Sequence, residues 1–373
     1  MKTRVGIVFG GRSGEHEISK RSAKAVIENI DRSKYDVIPI AITDQGHWLG
    51  PSSSNALLAA EAASLVDTSA SDLSGDVAVI GDPRHRGLRA LASDVRREID
   101  VMFPLLHGTY GEDGTIQGLF EMADIPYVGC GVLASSCGMD KSIMKALFKE
   151  AGLPICRHYT VLRSRWELEP SDVAAEIEST IGYPCFVKPA NLGSSVGISR
   201  AENADELRAG IDLAAQYDRK IIIEEALKMR EIECAVLGND EPAASLPGEY
   251  VIKDKSKAFL DYTEKYSGTG NNEFVVPAPV SDELSKKIRE MAIRAFKAVD
   301  GTGLARVDFF LRTDNGSLLV NEINTMPGLT DASGYPKMWA GSGKPFSQVI
   351  DELIDLAVLR HKDKSRNKTS RDD

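Results

Sequence analysis

The residues FVKPANLGSSVGIS, at positions 186–199, carry the strongest indication of how this chain folds. An apolar strand ends at Lys188, and the small residues that follow form a loop that can close over the phosphates of a nucleotide. The glycines let the backbone approach a ligand closely, while Ser194 and Ser195 offer hydroxyl and amide donors. Taken alone, the segment is equally consistent with a surface hairpin turn. It is not a Walker motif, because G-x-x-x-x-G-K-S/T occurs nowhere in the sequence.

A second group of polar residues lies far downstream, on two predicted strands. Arg306 and Asp308 are on the first strand, and Glu322 and Asn324 are at the end of the next. Since side chains alternate between the faces of a strand, each pair shares one face. The three oxygen donors suit Mg²⁺ bound jointly with nucleotide phosphates, and Arg306 would then face the reacting oxygens. Arg306 and Asp308 alone would more simply be a structural ion pair, but four such groups on one face favour a site.

Two glycine-containing turns are weaker indications. The turn TMPGLT, residues 325–330, follows directly, and its Gly328 amide is a candidate oxyanion donor, although an isolated Pro-Gly is ordinarily only a turn. The loop HGTYGEDG, residues 107–114, follows a buried strand, which is where open α/β sheets bind ligands. A lone histidine such as His107 is as often a capping group as a catalyst. Both segments are therefore candidates for substrate contacts.

Two further motifs are incomplete. GGRSG, residues 10–14, lacks the G-x-G-x-x-G spacing, so a dinucleotide-dependent oxidoreductase is disfavoured. Residues 142–145 spell the S-x-x-K of penicillin-binding proteins, but the S-D-N and K-T-G companions are missing. We interpret this second motif as a coincidence on a helix.

The bulk composition limits the class of protein. With 373 residues the chain exceeds the size of one hydrophobic core, and two or three domains are expected. Its hydrophobic fraction of 42% is that of an ordinary globular protein. Its formal net charge of −10 disfavours binding to nucleic acid or to an acidic membrane. Five cysteines without a C-x-x-C pair indicate neither a disulfide framework nor a structural zinc site. No stretch approaches the roughly 20 apolar residues that cross a bilayer, so a cytoplasmic location is expected.

The order of the predicted elements indicates a mixed α/β and α+β protein. A βαβ unit opens the chain over residues 5–42. Residues 51–98 lack a sustained periodicity and are expected to be irregular, with a helix near 93–99. The expected divisions are an N-terminal α/β domain at 1–138, a middle domain at 139–230, a C-terminal domain at 231–361 and a charged, disordered tail at 362–373.

Eight segments in colinear order resemble those of the D-alanine–D-alanine ligases of the ATP-grasp superfamily. They are GGRSGEHEIS, FPLLHGTYGEDGTIQG, MDKS, FVKPANLGSSVGIS, IIEEALKMREIE, DYTEKY, ARVDFF and NEINTMPGLT. Any one of them could mislead, whereas all eight in this order leave little room for another subfamily. The resemblance implies a three-domain ATP-grasp fold, with ATP held between the middle and C-terminal domains and the N-terminal domain contributing contacts to the first substrate.

The resemblance also implies the ATP and metal contacts. The ATP contacts would be Lys141, Lys188 and Ser195 at the phosphates, Glu225, Ala226 and Leu227 at the adenine edge, and Glu231 at the ribose. Two Mg²⁺ or Mn²⁺ ions would be held by Asp308, Glu322 and Asn324. A monovalent cation could accompany them. The partners implied are small molecules, and the implied assembly is a homodimer.

The substrate contacts follow from the same resemblance. The first D-alanine would place its ammonium near Glu15 and its carboxylate near His107, Arg306 and the Gly328 amide. The second would be anchored by Ser333 and the backbone after it. The catalytic latch that closes over the substrates would consist of Glu15, Ser194 and Tyr266.

The implied reaction transfers the γ-phosphoryl group of ATP to the first D-alanine, after which the amine of the second displaces phosphate. Relatives that make D-alanyl-D-lactate lack a tyrosine at the position of Tyr266, so D-alanine is the favoured acceptor. Leu260 and Gly334 depart from the usual aromatic and larger apolar residues and would loosen the acceptor pocket, which leaves D-serine open as an acceptor.

Two alternatives lie outside this reaction. One is another carboxylate–amine ligase of the same superfamily, which the DYTEKY and HGTYGEDG segments disfavour. The other is an ATP-binding module without catalysis. The presence of Arg306 together with all three candidate metal ligands disfavours it.

Overall fold

The computed structural model of the protein describes residues 2–59, 75–193, 196–252, 272–368 and 371. The first elements in the chain are β1 (Thr3–Gly10), α1 (His16–Asn29), β2 (Tyr35–Ile42), β3 (Trp48–Leu49), α2 (Pro51–Ala59), β4 (Val77–Val79), β5 (Gly87–Ala90), β6 (Arg96–Glu98), β7 (Val101–Pro104), α3 (Thr115–Met122) and α4 (Val132–Met139). A sheet in the order β3-β2-β1-β7 organises them, with β1 parallel to both β2 and β7. This confirms the predicted βαβ unit. The loop after β7 carries His107 to the edge of this sheet.

The expectation of a helix near residues 93–99 is wrong. Residues 96–98 form strand β6, which pairs antiparallel with β5, and β5 pairs with β4 in a small sheet. Val77, Leu88 and Ala90 of this sheet are buried against the N-terminal core. The short charged segment has little preference of its own, so pairing with β5 determines its conformation. Helix α2 was also missed, although Pro51 is well placed at its first turn.

The middle of the chain forms a second, antiparallel sheet. Its elements are α5 (Lys141–Glu150), β8 (His158–Leu162), α6 (Arg163–Leu168), α7 (Pro170–Thr180), β9 (Cys185–Pro189), β10 (Ser199–Ala201), α8 (Ala204–Tyr217) and β11 (Lys220–Glu225), and the strand order is β10-β9-β11-β8. One face of the sheet is apolar and packs under α7 and α8. The other face carries Phe186, Lys188 and Glu224. Alternation along β9 and β11 therefore directs the charged groups to one side.

The third sheet holds the downstream polar residues. Its elements are β12 (Met229–Gly238), β13 (Ala243–Ala244), β14 (Gly248–Ile252), β15 (Asn272–Val275), α9 (Asp282–Ala298), β16 (Gly303–Arg312), β17 (Leu318–Asn324), α10 (Gly334–Gly341) and α11 (Phe346–Lys364). The order is β15-β14-β12-β16-β17, with β13 beside β12. Met144 and Phe148 of α5 pack into the core of this sheet. Helix α11 packs between it and the first sheet.

The start of the charged tail is ordered, contrary to the expectation for residues 362–373. Helix α11 continues past His361 to Lys364. His361 contacts Asp124 at 2.8 Å, and Lys364 pairs with Glu121, so the N-terminal elements hold the helix end in place. Of the residues that the structure describes, none forms a helix long and apolar enough to span a membrane.

Replacing Arg360 with alanine is expected to destabilise the protein by about 2 kcal/mol, because charge-assisted hydrogen bonds are among the stronger ones. Its guanidinium donates to the carbonyls of Gly129 and Tyr127 and to Thr302, and it stacks 4.2 Å from the centre of the Tyr127 ring. It therefore joins α11 to the N-terminal elements. Urea denaturation would measure the loss. Arg366→Ala, at an exposed position six residues further along the chain, is the control and should change stability by less than about 0.5 kcal/mol.

Candidate active site

A cleft lies between the polar faces of the second and third sheets. The predicted site residues that line it are Glu15, Lys141, Lys188, Glu225, Leu227, Glu231, Arg306, Asp308, Glu322 and Asn324. Among the predicted residues that the structure describes, His107, Ala226, Gly328 and Ser333 are not part of this lining. Ser194, Ser195, Leu260 and Tyr266 lie outside the described residues, so their roles stay predictions.

One wall of the cleft is suited to a purine ring. Phe186, Leu227 and Met229 provide apolar surface there. The Glu225 carboxylate is turned towards Arg157, from which it accepts hydrogen bonds at 2.8 and 2.9 Å. The backbone N–H of Ala226 donates to the Pro184 carbonyl at 3.1 Å. These contacts fix the edge of the β11 segment beside the apolar wall.

The oxygen-bearing residues meet in one row across the third sheet. Strand register places Glu233 opposite Asp308, and Asp308 opposite Glu322. The next row places Arg306 opposite Asn324. A β-bulge after Asp308 lies beside this row, as bulges often do at functional sites. The predicted face shared by the two strands is thus present, whereas Glu233 was missed.

The oxygen donors that β16 and β17 carry on this face of the sheet fit a hard divalent cation. Asp308, Glu322 and Asn324 offer oxygen atoms, which Mg²⁺ and Mn²⁺ prefer. Burial raises the pKa of Asp308 to about 7, with Arg306 opposing the rise. Burial also acts to raise the pKa of Glu322, but Lys141, Lys188 and Arg306 hold it below its ordinary value. Within the described ranges, no group of three or more histidine, cysteine and acidic side chains is arranged to hold a metal, so an ion here would complete its coordination with Asn324 and with water or ligand oxygens.

Arg306 is bound to Asp308 in this structure. Its Nε and Nη2 atoms each lie 2.7 Å from a carboxylate oxygen of Asp308. Its Nε also lies 3.5 Å from Oε2 of Glu233. The arginine therefore competes with any metal ion for the oxygens of Asp308.

A buried glutamate that the sequence did not reveal holds Lys188 of the cleft together with the buried Lys145. Glu224 accepts from Lys188 at 2.7 Å and from Lys145 at 2.9 Å. Lys145 is fully buried and also donates to the Asn321 carbonyl. Burial acts to lower the pKa of Lys145, but Glu224 outweighs it and the pKa is raised. Lys145, the lysine of the S-x-x-K spacing, lies one turn after Lys141 and could have been recognised as sharing its face of α5.

Lys141 connects the glycine-rich loop to the metal row. It is the first residue of α5, where the Asp140 carboxylate caps the helix by accepting from two backbone N–H groups. Its ammonium donates to the Leu192 carbonyl at 2.8 Å and lies 3.8 Å from Glu322. Lys141 and Lys188 would therefore both lie on one side of a phosphate bound beneath the glycine-rich loop.

Two carboxylates face the cleft from the N-terminal elements. Glu15 precedes α1, and burial raises its pKa against the opposing charges of Arg306 and Lys141. Glu112, which was missed, accepts from the Gly108 N–H at 2.6 Å. Burial and the nearby Glu15 raise the pKa of Glu112 to about 8. An ammonium group bound beside Glu15 would relieve the repulsion between the two acids.

Both ring nitrogens of His107 are hydrogen-bonded to groups of the protein. Nδ1 donates to the Met326 carbonyl at 3.0 Å, so Nε2 of the neutral ring accepts from Ser22 at 3.1 Å. Burial lowers the pKa of His107 to about 4. In this structure the ring fixes the TMPGLT turn against α1, and its contact with a substrate carboxylate stays a prediction.

The free energy of unfolding is expected to fall by up to about 3 kcal/mol as the pH drops from 6.5 towards 4, because of His107. The unfolded chain takes up a proton on His107 near pH 6.5, whereas the folded chain takes it up only near pH 4. The contribution of His107 to stability is therefore complete above pH 6.5 and is lost progressively as the pH falls towards 4. Urea denaturation across this range would show a shallower fall in His107→Gln. His47→Gln, at an exposed histidine, is the control and should lose stability with falling pH as the wild type does. If His107→Gln lost stability as steeply as this control, His107 would not be the origin of the pH dependence.

The residues expected at the acceptor end are already hydrogen-bonded to one another. Ser333 Oγ lies 2.8 Å from Thr330 Oγ1 and accepts from the Thr330 N–H at 3.2 Å. A side chain at Gly328 would collide with Ser333, since an added Cβ would lie 2.7 Å from its Oγ. Gly334 does not leave the expected gap. An added Cβ there would lie 2.5 Å from Glu233 Oε2 and 2.8 Å from the Phe274 ring, so these groups fill the space.

Comparisons with known proteins agree on one family. The family models described as "D-ala D-ala ligase N-terminus" and "D-ala D-ala ligase C-terminus" match residues 4–130 and 147–355. The D-alanine–D-alanine ligase of Heliobacterium modesticaldum is 47% identical over 374 residues, covering 100% of this chain and 99% of that protein. The one from Geobacillus thermodenitrificans is 49% identical, with 98% of each chain covered.

Solved structures show the same similarity. The VanG D-Ala:D-Ser ligase from Enterococcus faecalis superposes with a TM-score of 0.82 at 37% identity, covering 96% of this chain and 100% of that one. The D-alanine–D-alanine ligase from Coxiella burnetii superposes with a TM-score of 0.81 at 34% identity, covering 98% of both chains.

Proposed function

The chain belongs to the D-alanine–D-alanine ligase family, and on that premise we propose that it joins two D-alanines to D-alanyl-D-alanine with ATP, for peptidoglycan precursors. The observation that carries the proposal is the meeting of two groups of residues in one cleft. Lys141 and Lys188 come from the second sheet and its first helix, and Asp308 and Glu322 come from the third. Positive charge for phosphate thus faces oxygen donors for metal.

The proposed first step forms a bond between a carboxylate oxygen of the first D-alanine and the γ-phosphorus of ATP, and ADP leaves. Lys141 and Lys188 balance the charge of the phosphates, and Glu15 holds the ammonium of the D-alanine. Two Mg²⁺ or Mn²⁺ ions on Asp308, Glu322 and Asn324 would supply Lewis-acid stabilisation of phosphoryl oxygens. The apolar wall formed by Phe186 and its neighbours holds the adenine, and Glu231 faces the ribose.

The second step forms the peptide bond. The neutral amine of the second D-alanine attacks the carbonyl carbon of the acyl phosphate, the C–O bond breaks, and inorganic phosphate leaves with the proton that the nitrogen loses. Arg306 and the Gly328 amide stabilise the oxyanion of the tetrahedral state. Ser333 anchors the second carboxylate, and the latch of Glu15, Ser194 and Tyr266 keeps water away from the acyl phosphate.

We also propose the organisation that accompanies this activity. The division into 1–138, 139–230 and 231–361 places ATP between the second and third parts, although α5 packs with the third. The protein acts in the cytoplasm as a homodimer. It uses small-molecule substrates and does not bind nucleic acid or membranes. A monovalent cation is proposed as a further ligand, and the phosphate-release assay would measure its effect.

Phosphate release from Mg·ATP with D-alanine tests the proposal, with product identified by mass. D-Alanyl-D-alanine should dominate when D-serine and D-lactate compete as acceptors. Similarity to the VanG D-Ala:D-Ser ligase favours D-serine as the second candidate, and a dominant D-alanyl-D-serine product would establish it instead. Absence of D-alanine-dependent turnover would exclude both.

A further inference from the structure

Three carboxylates lie side by side in the row that crosses the third sheet. Glu233, Asp308 and Glu322 are direct cross-strand neighbours on β12, β16 and β17. Like charges directly opposite each other destabilise a sheet unless cations separate them. Lys141 lies near Glu322, so the other two acids share Arg306. One guanidinium thus stands between two carboxylates.

Arg306 satisfies only one of these two acids. It makes two hydrogen bonds of 2.7 Å to Asp308, whereas its nearest approach to Glu233 is 3.5 Å. Oε2 of Glu233 is buried and, among the described residues, has no hydrogen-bond partner. Leaving a buried charged oxygen without a hydrogen bond is unfavourable. Glu233 is therefore ready to accept from Arg306.

The surroundings keep Glu233 in this position. Its Oε2 atom lies where a side chain at residue 334 would begin, and glycine leaves that space open. The Phe274 ring closes the other side of the same space. Glu233 is only 5% exposed, so water does not compete freely for its oxygen. The carboxylate is thus a fixed second acceptor beside Arg306.

We infer that Glu233 is a positioning residue that takes the Arg306 guanidinium from Asp308 when a divalent cation binds. This inference rests on the proposed function for its metal and for the role of Arg306. Both oxygens of Asp308 already accept from Arg306, and a divalent cation bound to the same carboxylate would be repelled by the adjacent guanidinium. A short rotation of the guanidinium towards Glu233 uncovers Asp308 without leaving Arg306 unpaired. The remaining N–H groups of Arg306 then face the cleft.

Binding of Mn²⁺ alone, followed by electron paramagnetic resonance, tests this exchange in the full-length protein. Glu233→Gln should weaken Mn²⁺ binding about tenfold, because Arg306 then has a poorer second acceptor and competes for Asp308. Arg306→Met removes that competition and should tighten binding. In the Arg306→Met background the effect of Glu233→Gln should be several-fold smaller, because the direct effect of its lost charge on the ion is common to both backgrounds and cancels in their ratio.

The ratio of the two Glu233→Gln effects is the decisive quantity. Equal effects with and without Arg306 would overturn the inference, because a metal ligand or a merely structural residue needs no arginine. Glu249→Gln is the matched control, since Glu249 is another buried glutamate of this sheet bound by an arginine, Arg230, and does not line the cleft. It should leave Mn²⁺ affinity unchanged.

A crystal structure of the wild-type protein with Mn²⁺ provides a second test that needs no variant. The guanidinium of Arg306 within about 3 Å of Glu233, and released from Asp308, would support the exchange. A guanidinium still bound twice to Asp308 beside a bound ion would overturn it. Failure of D-alanine turnover in the wild type would count against the proposed function. The Mn²⁺-binding results do not depend on turnover, so they test the inference separately.

Discussion

Replacing Asp308 with asparagine is expected to lower the rate of phosphate release about a thousandfold, since single electrostatic groups at a transition state contribute on that scale. Asp308 occupies the centre of the carboxylate row, between Glu233 and Glu322. The change removes one negative charge from the candidate metal site. It also replaces one of the two oxygens that accept from Arg306 by an amide nitrogen, which cannot accept. Steady-state release from Mg·ATP with D-alanine measures kcat.

The same hairpin offers a matched control. Arg312 and Asp314 form another arginine–aspartate pair two residues apart, bound through the same two donor positions but away from the cleft. Asp314→Asn should leave kcat within about twofold of the wild type, because exposed ion pairs contribute little. A similar loss in both variants would mean that the hairpin's stability, and not the chemistry of Asp308, controls the rate.

Replacing Lys145 with methionine is expected to destabilise the protein by about 4 kcal/mol, the scale on which breaking a buried ion pair acts. Methionine keeps most of the side-chain volume, so the lost charge accounts for the change. Glu224 would retain only Lys188, although the two lysines together hold its pKa well below the ordinary value against the effect of burial. The KM for ATP should rise as well, because Lys188 is then drawn more firmly to Glu224.

Urea denaturation measures the stability of this variant, and ATP titration measures its KM. Lys149→Met lies one turn further along α5 at an exposed position and is the control, with a change below about 0.5 kcal/mol. An unchanged unfolding free energy for Lys145→Met would show that the buried pair contributes no net stability, as can occur when desolvation cancels attraction.

The sequence predicted those parts of the fold in which local pattern and burial agree. The βαβ unit and the strands carrying Lys188, Asp308 and Glu322 follow the alternation that the sheets require. The small sheet of β4, β5 and β6 was missed because its short charged strands acquire their conformation only by pairing with one another. The extra turns of α11 likewise depend on acids that lie more than 200 residues away.

The same limit applies to the site. Residues that would touch a ligand directly could be assigned from motifs, but Lys145, Glu224 and Glu233 hold those residues in place through contacts with other strands and helices. No pattern in the sequence predicts that Glu224 bridges two lysines. A second lysine on the same face of α5 as Lys141 was nevertheless a usable signal, because a buried ammonium needs a carboxylate.

Transfer of an oxygen atom from D-alanine to phosphate is the most direct test of the proposed acyl phosphate. D-Alanine labelled with ¹⁸O in its carboxylate would be supplied with Mg·ATP, and the released phosphate would be analysed by mass. Since a carboxylate oxygen bonds to the γ-phosphorus and departs with it when the amine attacks, each phosphate should carry one labelled oxygen. Dipeptide formed together with unlabelled phosphate would contradict the mechanism.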